Sequence, residues 1–424
     1  MTHSYEVANL ARSLGLRIAT SRQNDLPINA IRTIPAMLAA AGLAHDIGNP
    51  PFGHQGESAI RAWFARNRNL FEPKDGRSLS EQCKRDFLLF EGNAQTLRVL
   101  TKLQVIEDDL GLNITVGTFA ALMKYVAPSH KVINSEQPRK KVGYFASEES
   151  LVNLVREEVG LEGYARHPLA LIMEACDDIA YSVVDAEDAI KKGIVSLNDL
   201  IADLKHTKDA TGGKDKITND LCEQTQIQLE YLRNRDLREQ KLHPNELNDI
   251  ATQKFRVYAI QIMVSAVYEC FGANYNNIMS GKFNDELIKQ SYAAPLCAAL
   301  KGFDKENALI HKSVLEIELD GYNILNRLMD YLWMGISDRE KRDQPGSKRC
   351  TPFAAYVYSR ISENYRRIFE NKFHGYHENV NLPIRYRELQ LLTDMVSGMT
   401  DQFCLDLFSD LDRRYRKMEK IDGN

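Results

Sequence analysis

The stretch Ala44-His45-Asp46-Ile47-Gly48-Asn49-Pro50-Pro51-Phe52-Gly53-His54-Gln55-Gly56-Glu57 concentrates two histidines, an aspartate and a glutamate. An adjacent His-Asp pair offers a neutral imidazole nitrogen and a charged oxygen, both good ligands for Mn, Fe, Ni or Mg. No helix can continue through Gly48-Asn49-Pro50-Pro51, because each proline lacks an N–H and disfavours helical geometry in the residue before it. If a new helix begins near Gly53, His54 and Glu57 stand three apart on one face. One turn then presents metal ligands on one side and an acid/base pair on the other. A histidine moves protons near neutral pH, and a carboxylate can orient it.

A second set lies far along the chain. Asp177, Tyr181, Asp185 and Asp188 are spaced four, four and three, so a helix would put them on one face. They are threaded through the apolar residues Leu169, Leu171, Ile172, Ala175, Ile179, Ala180 and Val183, which predict a helix over 168–190. No Lys or Arg falls between Ala170 and Ile190. An acidic and aromatic face of this kind suits a metal and a sugar hydroxyl better than a set of surface ion pairs. Between the two sets, Phe90-Glu91-Gly92-Asn93-Ala94-Gln95 supplies polar side chains able to line a cavity.

Helices must position these groups. Val7, Leu10, Ala11, Leu14 and Ile18 mark one that starts almost at residue 3 and carries His3 in its first turn. Residues 24–33 read as a polar linker. A second helix over 34–44, with Pro35 in its first turn, is apolar nearly all round and reads as buried. It would deliver His45 and Asp46 to the interior, where an aspartate needs a metal or a cation. Further helices are expected over 87–103, over 118–126 ending in Lys124-Tyr125, and from a Ser147 cap to a stop at Gly160. Helical patterns fill most of the remainder, and no alternating strand run of convincing length occurs. The class expected is all-α.

With 424 residues the chain can bury a large core, in one large or two ordinary domains. A net charge of −4 argues against a general nucleic-acid binder. The local exceptions are Arg139-Lys140-Lys141 and Arg413-Arg414-Tyr415-Arg416-Lys417, which keep single-stranded DNA as an alternative partner. Seven scattered cysteines without a CxxC pair suit a reduced, cytoplasmic protein. The chain opens Met1-Thr2-His3-Ser4-Tyr5-Glu6, unlike a signal peptide, and no apolar run approaches the roughly 18 residues of a membrane span.

Thr2-His3-Ser4-Tyr5-Glu6-Val7, His45 through Glu57, Phe90 through Gln95, Met123-Lys124-Tyr125, Glu174-Ala175-Cys176-Asp177-Asp178-Ile179-Ala180-Tyr181 and Ser397-Gly398-Met399-Thr400-Asp401 occur in this order. Together they resemble the dGTP triphosphohydrolases of the HD superfamily of metal-dependent phosphohydrolases. The resemblance implies an HD-domain helical bundle over 1–194. It also implies a helical region over 195–424 packed on that core, with a mobile insertion at 205–250. The implied reaction is hydrolysis of a deoxynucleoside triphosphate, dGTP foremost, to the deoxynucleoside and inorganic tripolyphosphate. His3, His45, Asp46 and Asp177 would hold a divalent ion (Mn, Mg, Ni or Fe), and His54 and Glu57 would form the catalytic pair. Tyr181 would face the deoxyribose where a 2′-hydroxyl clashes, and Asp185 the 3′-hydroxyl. Lys124, Tyr125 and Asn93 complete the implied substrate contacts. Tetramers or hexamers are expected. Family members usually carry several tens of residues ahead of the first histidine of the set, which here is residue 3; metal binding, by three protein ligands if His3 frays, with weakened nucleotide affinity and activity is therefore expected. The rival reading is a catalytically weak dNTP sensor or a single-stranded nucleic-acid binder on the same fold.

Overall fold

The computed structural model describes residues 2–72, 78–104, 111–209, 211–239, 243–370 and 382–422. In chain order the helices are α1 (Thr2–Ser21), α2 (Ala30–Ala44), α3 (Gly53–Arg66), α4 (Glu81–Leu88), α5 (Gly92–Arg98), α6 (Val116–Leu122), α7 (Glu149–Glu158), α8 (Pro168–Lys191) and α9 (Leu197–Leu204). They continue with α10 (Lys216–Glu239), α11 (Pro244–Ala273), α12 (Tyr275–Met279), α13 (Ala294–Phe303), α14 (Lys312–Ser337), α15 (Pro352–Arg360), α16 (Glu363–Phe369), α17 (Ile384–Ser397) and α18 (Asp401–Asp422). Two very short parallel strands, β1 (Ala127–Pro128) and β2 (Val142–Tyr144), are the only sheet among the described residues. The protein is all-α, as its periodicity predicts.

The chain divides into two compact units, Met1–Leu43 with His167–Glu316, and Ala44–Arg166 with Ile317–Asn424. In the first, α8 packs against α1, α11 and α13. Val7, Ala11, Leu14 and Ile18 of α1 are buried, as are Leu169, Ile172, Cys176, Ile179 and Val183 of α8. In the second, Trp63, Phe64, Phe87, Phe90, Leu328, Leu332, Tyr386, Leu392 and Leu411 belong to one apolar core. Burial of such side chains contributes roughly 1.5–3 kcal/mol each.

Several expectations are corrected. The span 87–103 is not one helix. The chain leaves α4 at Leu88, passes Glu91 in an extended conformation (φ −141°, ψ 128°) and re-enters a helix at Gly92. A further π-helical turn follows at Val99–Leu103. α2 starts at Ala30, so Pro35 lies inside it, and only one face is buried; Ile31 and Leu43 are exposed. Lys124 and Tyr125 follow the end of α6 rather than closing it. Ser147 caps nothing: α7 begins at Glu149, and the Ser147 hydroxyl bonds the Glu148 carboxylate. Of the insertion expected at 205–250, residues 210 and 240–242 lie outside the described residues; the remainder includes α10 and the start of α11.

Candidate active site

The turn after α2 is built by close backbone approach. The Thr96 hydroxyl accepts from the Gly48 N–H (3.1 Å) and donates to the His45 carbonyl (2.9 Å). A Cβ on Gly48 would come within 2.2 Å of the Thr96 nitrogen, and one on Gly92 within 2.1 Å of Asn49 Oδ1. Glycine at both positions lets the turn lie against the start of α5. His45 is buried at 5% exposure, and its Nε2 is 3.2 Å from Asp46 Oδ2. The Asn49 amide donates to the other Asp46 oxygen at 2.8 Å.

α3 begins on Phe52, a non-glycine residue with φ 62°. Asp401, at the start of α18, accepts the Phe52 N–H at 3.0 Å. That left-handed entry is costly for a bulky residue, and the surrounding structure holds it in place. It starts a helix on which His54 Nδ1 lies 3.2 Å from Glu57 Oε2, the contact that the three-residue spacing predicts. Glu57 is 2% exposed, while the His54 side chain is 78% exposed. The other Glu57 oxygen accepts the Gly92 N–H at 2.8 Å, and Arg61 Nη2 lies 3.8 Å from Oε2. The break ahead of α5 thus provides the donor that anchors the glutamate.

Burial alone would raise the Glu57 pKa. The His54 hydrogen bond, the Gly92 N–H and the Lys141 charge outweigh it and hold the carboxyl below its ordinary value. The Glu57 hydrogen bond raises the His54 pKa above 6.5, against the effect of burial. Glu91, buried beside this pair, is raised by desolvation and then by Glu57. Lys141 Nζ lies 3.1 Å from each Glu91 oxygen, and the Asn93 amide donates to Glu91 Oε1 at 2.8 Å. Lys141 also sits 5.9 Å from the Tyr125 ring centroid. His54, Glu57, Asn93 and Tyr125 therefore belong to one neighbourhood. Lys124, just before Tyr125, is half-buried.

In the other unit, His3 of α1 meets Asp177 of α8, Nε2 to Oδ1 at 3.1 Å, both partly buried. Tyr181 and Asp185, one and two turns on, are hydrogen-bonded to each other. Burial raises the Asp185 pKa while the His3 charge opposes it. Asp188 is exposed. Cations missing from α8 itself arrive from elsewhere in the unit: Lys301 pairs with Asp178 at 2.7 Å, and Arg256 with Glu187 at 2.8 Å.

Sequence reasoning missed three groups. Lys141 read as one member of a basic cluster. Asp401 lay within a quoted motif without a role. Asp304 carried no signal. It opens a π-helical turn at Asp304–Ala308, is 2% exposed, and neither carboxylate oxygen has a hydrogen-bond partner. Burial, then repulsion by Asp185, pushes its pKa up to about 7. The second basic cluster is largely matched by acids: Arg413 and Arg414 meet Asp410, and Arg416 meets Asp412. No helix among the described residues is long and apolar enough to cross a membrane.

An all-helical chain with a His-Asp doublet at the exit of one helix and an acid-histidine pair on the next has the make-up of an HD phosphohydrolase, and a family model described as "HD domain" matches residues 1–181. The chain is 34% identical to a deoxyguanosinetriphosphate triphosphohydrolase-like protein of Listeria monocytogenes, over 97% of this chain and 86% of that one. It is 31% identical to a probable deoxyguanosinetriphosphate triphosphohydrolase of Pseudomonas aeruginosa (96% and 84%). With the deoxyguanosinetriphosphate triphosphohydrolase of Serratia proteamaculans it shares 28% identity (96% and 85%). The chain belongs to the deoxyguanosinetriphosphate triphosphohydrolase-like family of HD-domain hydrolases.

Proposed function

We propose that this protein hydrolyses deoxynucleoside triphosphates, dGTP foremost, to the deoxynucleoside and inorganic tripolyphosphate, using a divalent ion. The observation that carries the reading is the His54–Glu57 pair. A buried carboxylate, fixed by a backbone N–H, holds Nδ1 of an exposed imidazole and leaves Nε2 for a substrate. The activity named for the relatives supports the same reaction.

His3, His45, Asp46 and Asp177 are the proposed ligands. Two nitrogens and two carboxylates suit Mn, Fe, Ni or Mg. Donors bound side by side at about 2.1 Å stand about 3 Å apart, close to the 3.1 and 3.2 Å within each His-Asp pair. When bound, the ion polarises the α-phosphate and lowers the pKa of water. The bond between the α-phosphorus and the 5′-oxygen breaks, a water oxygen bonds to phosphorus, and the departing 5′-oxygen takes a proton. Glu57 orients the His54 imidazole that handles that proton. Tyr181 covers the deoxyribose where a 2′-hydroxyl would clash, and Asp185 accepts from the 3′-hydroxyl. Lys124 and Tyr125 meet phosphate or sugar, and Asn93, held by Glu91, completes the pocket. We assign catalysis to a core over 1–194, with 195–424 in support, in a cytoplasmic tetramer or hexamer.

Phosphorus NMR of the products formed from dGTP with Mn or Mg tests the reaction. Tripolyphosphate is expected; pyrophosphate or orthophosphate as the first product overturns it. A comparison of dGTP with GTP and the other dNTPs tests the sugar and base preferences. Light scattering on the eluting protein tests the oligomer. The matched charges of the 413–417 cluster favour the enzyme over a nucleic-acid binder.

A further inference from the structure

Two carboxylates lie buried within one residue of the same backbone N–H. Glu57 accepts that N–H from Gly92, and Glu91 immediately precedes Gly92. Each is 2% exposed. Two adjacent buried anions are costly unless cations meet them. Arg61 stands 3.8 Å from Glu57, and Lys141 touches both oxygens of Glu91 at 3.1 Å. Arg61 is also committed to the Phe90 carbonyl at 3.0 Å. The charged groups around His54 are therefore Glu57 and Arg61 on its own helix, Glu91 at the entry to α5, and Lys141 ahead of β2. Without His54 they sum to zero, two acids against two bases.

We infer that Glu91 and Lys141 are positioning residues that act as a matched pair, holding the catalytic couple in the state His54-imidazolium/Glu57-carboxylate. Glu91 acts on the pair through its charge and through the Gly92 peptide it precedes, whose N–H Glu57 accepts. Lys141 cancels enough of that charge to keep Glu91 ionised in a desolvated place. The pairing has a chemical consequence for the reaction proposed above, on which this inference rests. A 5′-alkoxide is a poor leaving group, and an imidazolium at Nε2 can donate its proton to that oxygen as the P–O bond breaks. His54 is thereby a general acid, and the imidazole left behind regains a proton from solvent.

The electrostatics have the same sense. Glu57 and Glu91 favour the His54 cation, and Lys141 opposes it. Glu91→Gln leaves the cluster one charge more positive and should disfavour the imidazolium. The amide oxygen of Gln can still accept the Asn93 hydrogen bond. Glu91→Gln combined with Lys141→Met restores neutrality and should return His54 to its original behaviour.

The test is histidine NMR of the full chain, with the His54 resonance identified by its loss in His54→Gln, alongside kcat and KM for dGTP against pH. In Glu91→Gln the His54 titration should fall by about 0.5–1 pH unit, with the alkaline limb of kcat moving equally. On that limb kcat drops about three- to tenfold while KM stays in place. The double variant should recover both. An unmoved His54 titration in folded Glu91→Gln, or a double variant that fails to recover, overturns the inference. A purely structural role for Glu91 would lower kcat at every pH without shifting the limb. The NMR titration needs no turnover, so a protein that releases no tripolyphosphate yet shows the shift and its reversal would overturn the reaction and retain the charge pairing.

Discussion

The acids around His54 and those that face the Asp177–Asp185 side of α8 are met differently. In the unit that carries His54, nearly every buried carboxylate meets a cation. Asp394 and Glu148 share Arg98 at 2.6 and 3.1 Å, Lys102 adds a second contact to Glu148, and Glu91 is held by Lys141. Asp86, the exception, is met by the Ser129 and Tyr386 hydroxyls and the Ala146 N–H. Along the polar face of α8, in the other unit, the balance runs the other way. Asp177 meets a histidine, Asp185 a tyrosine, and Asp304 no hydrogen-bond partner. The first region is internally neutral and can hold a precise arrangement without a ligand. Apart from Lys301 at Asp178 and Arg256 at Glu187, the second is short of positive charge, which suits the proposed metal and substrate surface.

Substitutions can break this contrast. The largest effect is expected at the proposed catalytic pair: His54→Ala should lower dGTP turnover by about 10²–10⁴-fold while bound metal, measured by elemental analysis, stays unchanged. Asp177→Asn should do the reverse first, stripping the metal before any measurement of rate. Loss of metal in His54→Ala would move His54 into the ligand set and blur the division between the two regions.

Next in size is Arg98→Met. It leaves Asp394 without its cation and Glu148 with Lys102 alone, and should cost about 3–5 kcal/mol in urea unfolding, the usual result of removing one partner from a buried ion pair. A cost under 1 kcal/mol would mean that the neutrality of this unit contributes little to its stability.

The smallest effect sharpens the other side of the comparison. The folded pKa of Asp304, about 7, lies above its ordinary 3.8. Between those values the folded state holds a proton that the unfolded state has lost, so stability falls as pH rises from about 4 to 7. Asp304→Asn removes that fall. It should gain about 1–3 kcal/mol over the parent at pH 8 and show little difference at pH 4, read as melting temperature across pH. A parent with equal stability at both pH values would mean that a cation already meets Asp304.

Much of the site was legible in local spacing. A period of 3.6 residues places His3 at the head of α1 and sets Asp177, Tyr181 and Asp185 on one face of α8, whatever the rest of the chain does. Two prolines keep a helix from running on past His45-Asp46, where α2 has already ended at Ala44, and a fresh start at Gly53 brings His54 to Glu57. These are constraints of neighbouring residues, and neighbouring residues are what a sequence displays. The break at Leu89–Glu91 was not legible: Leu88, Leu89, Leu97, Val99 and Leu100 continue a helical pattern through it. Packing of Gly92 against Asn49 and Glu57 overrides that pattern. Nor was it legible that Lys141 meets Glu91 across 50 residues, that Asp401 receives Phe52 across 349, or that Lys301 answers Asp178 across 123. A charged side chain has many partners of the opposite sign in a chain this long. Which one it meets is decided by burial, where an unmatched charge is too costly to keep. The sequence alone therefore determined the all-α class, most of the helices and the spacing of the candidate ligands and of His54 with Glu57. Only tertiary packing decided the charges around that pair, because burial selects which distant partner each one meets.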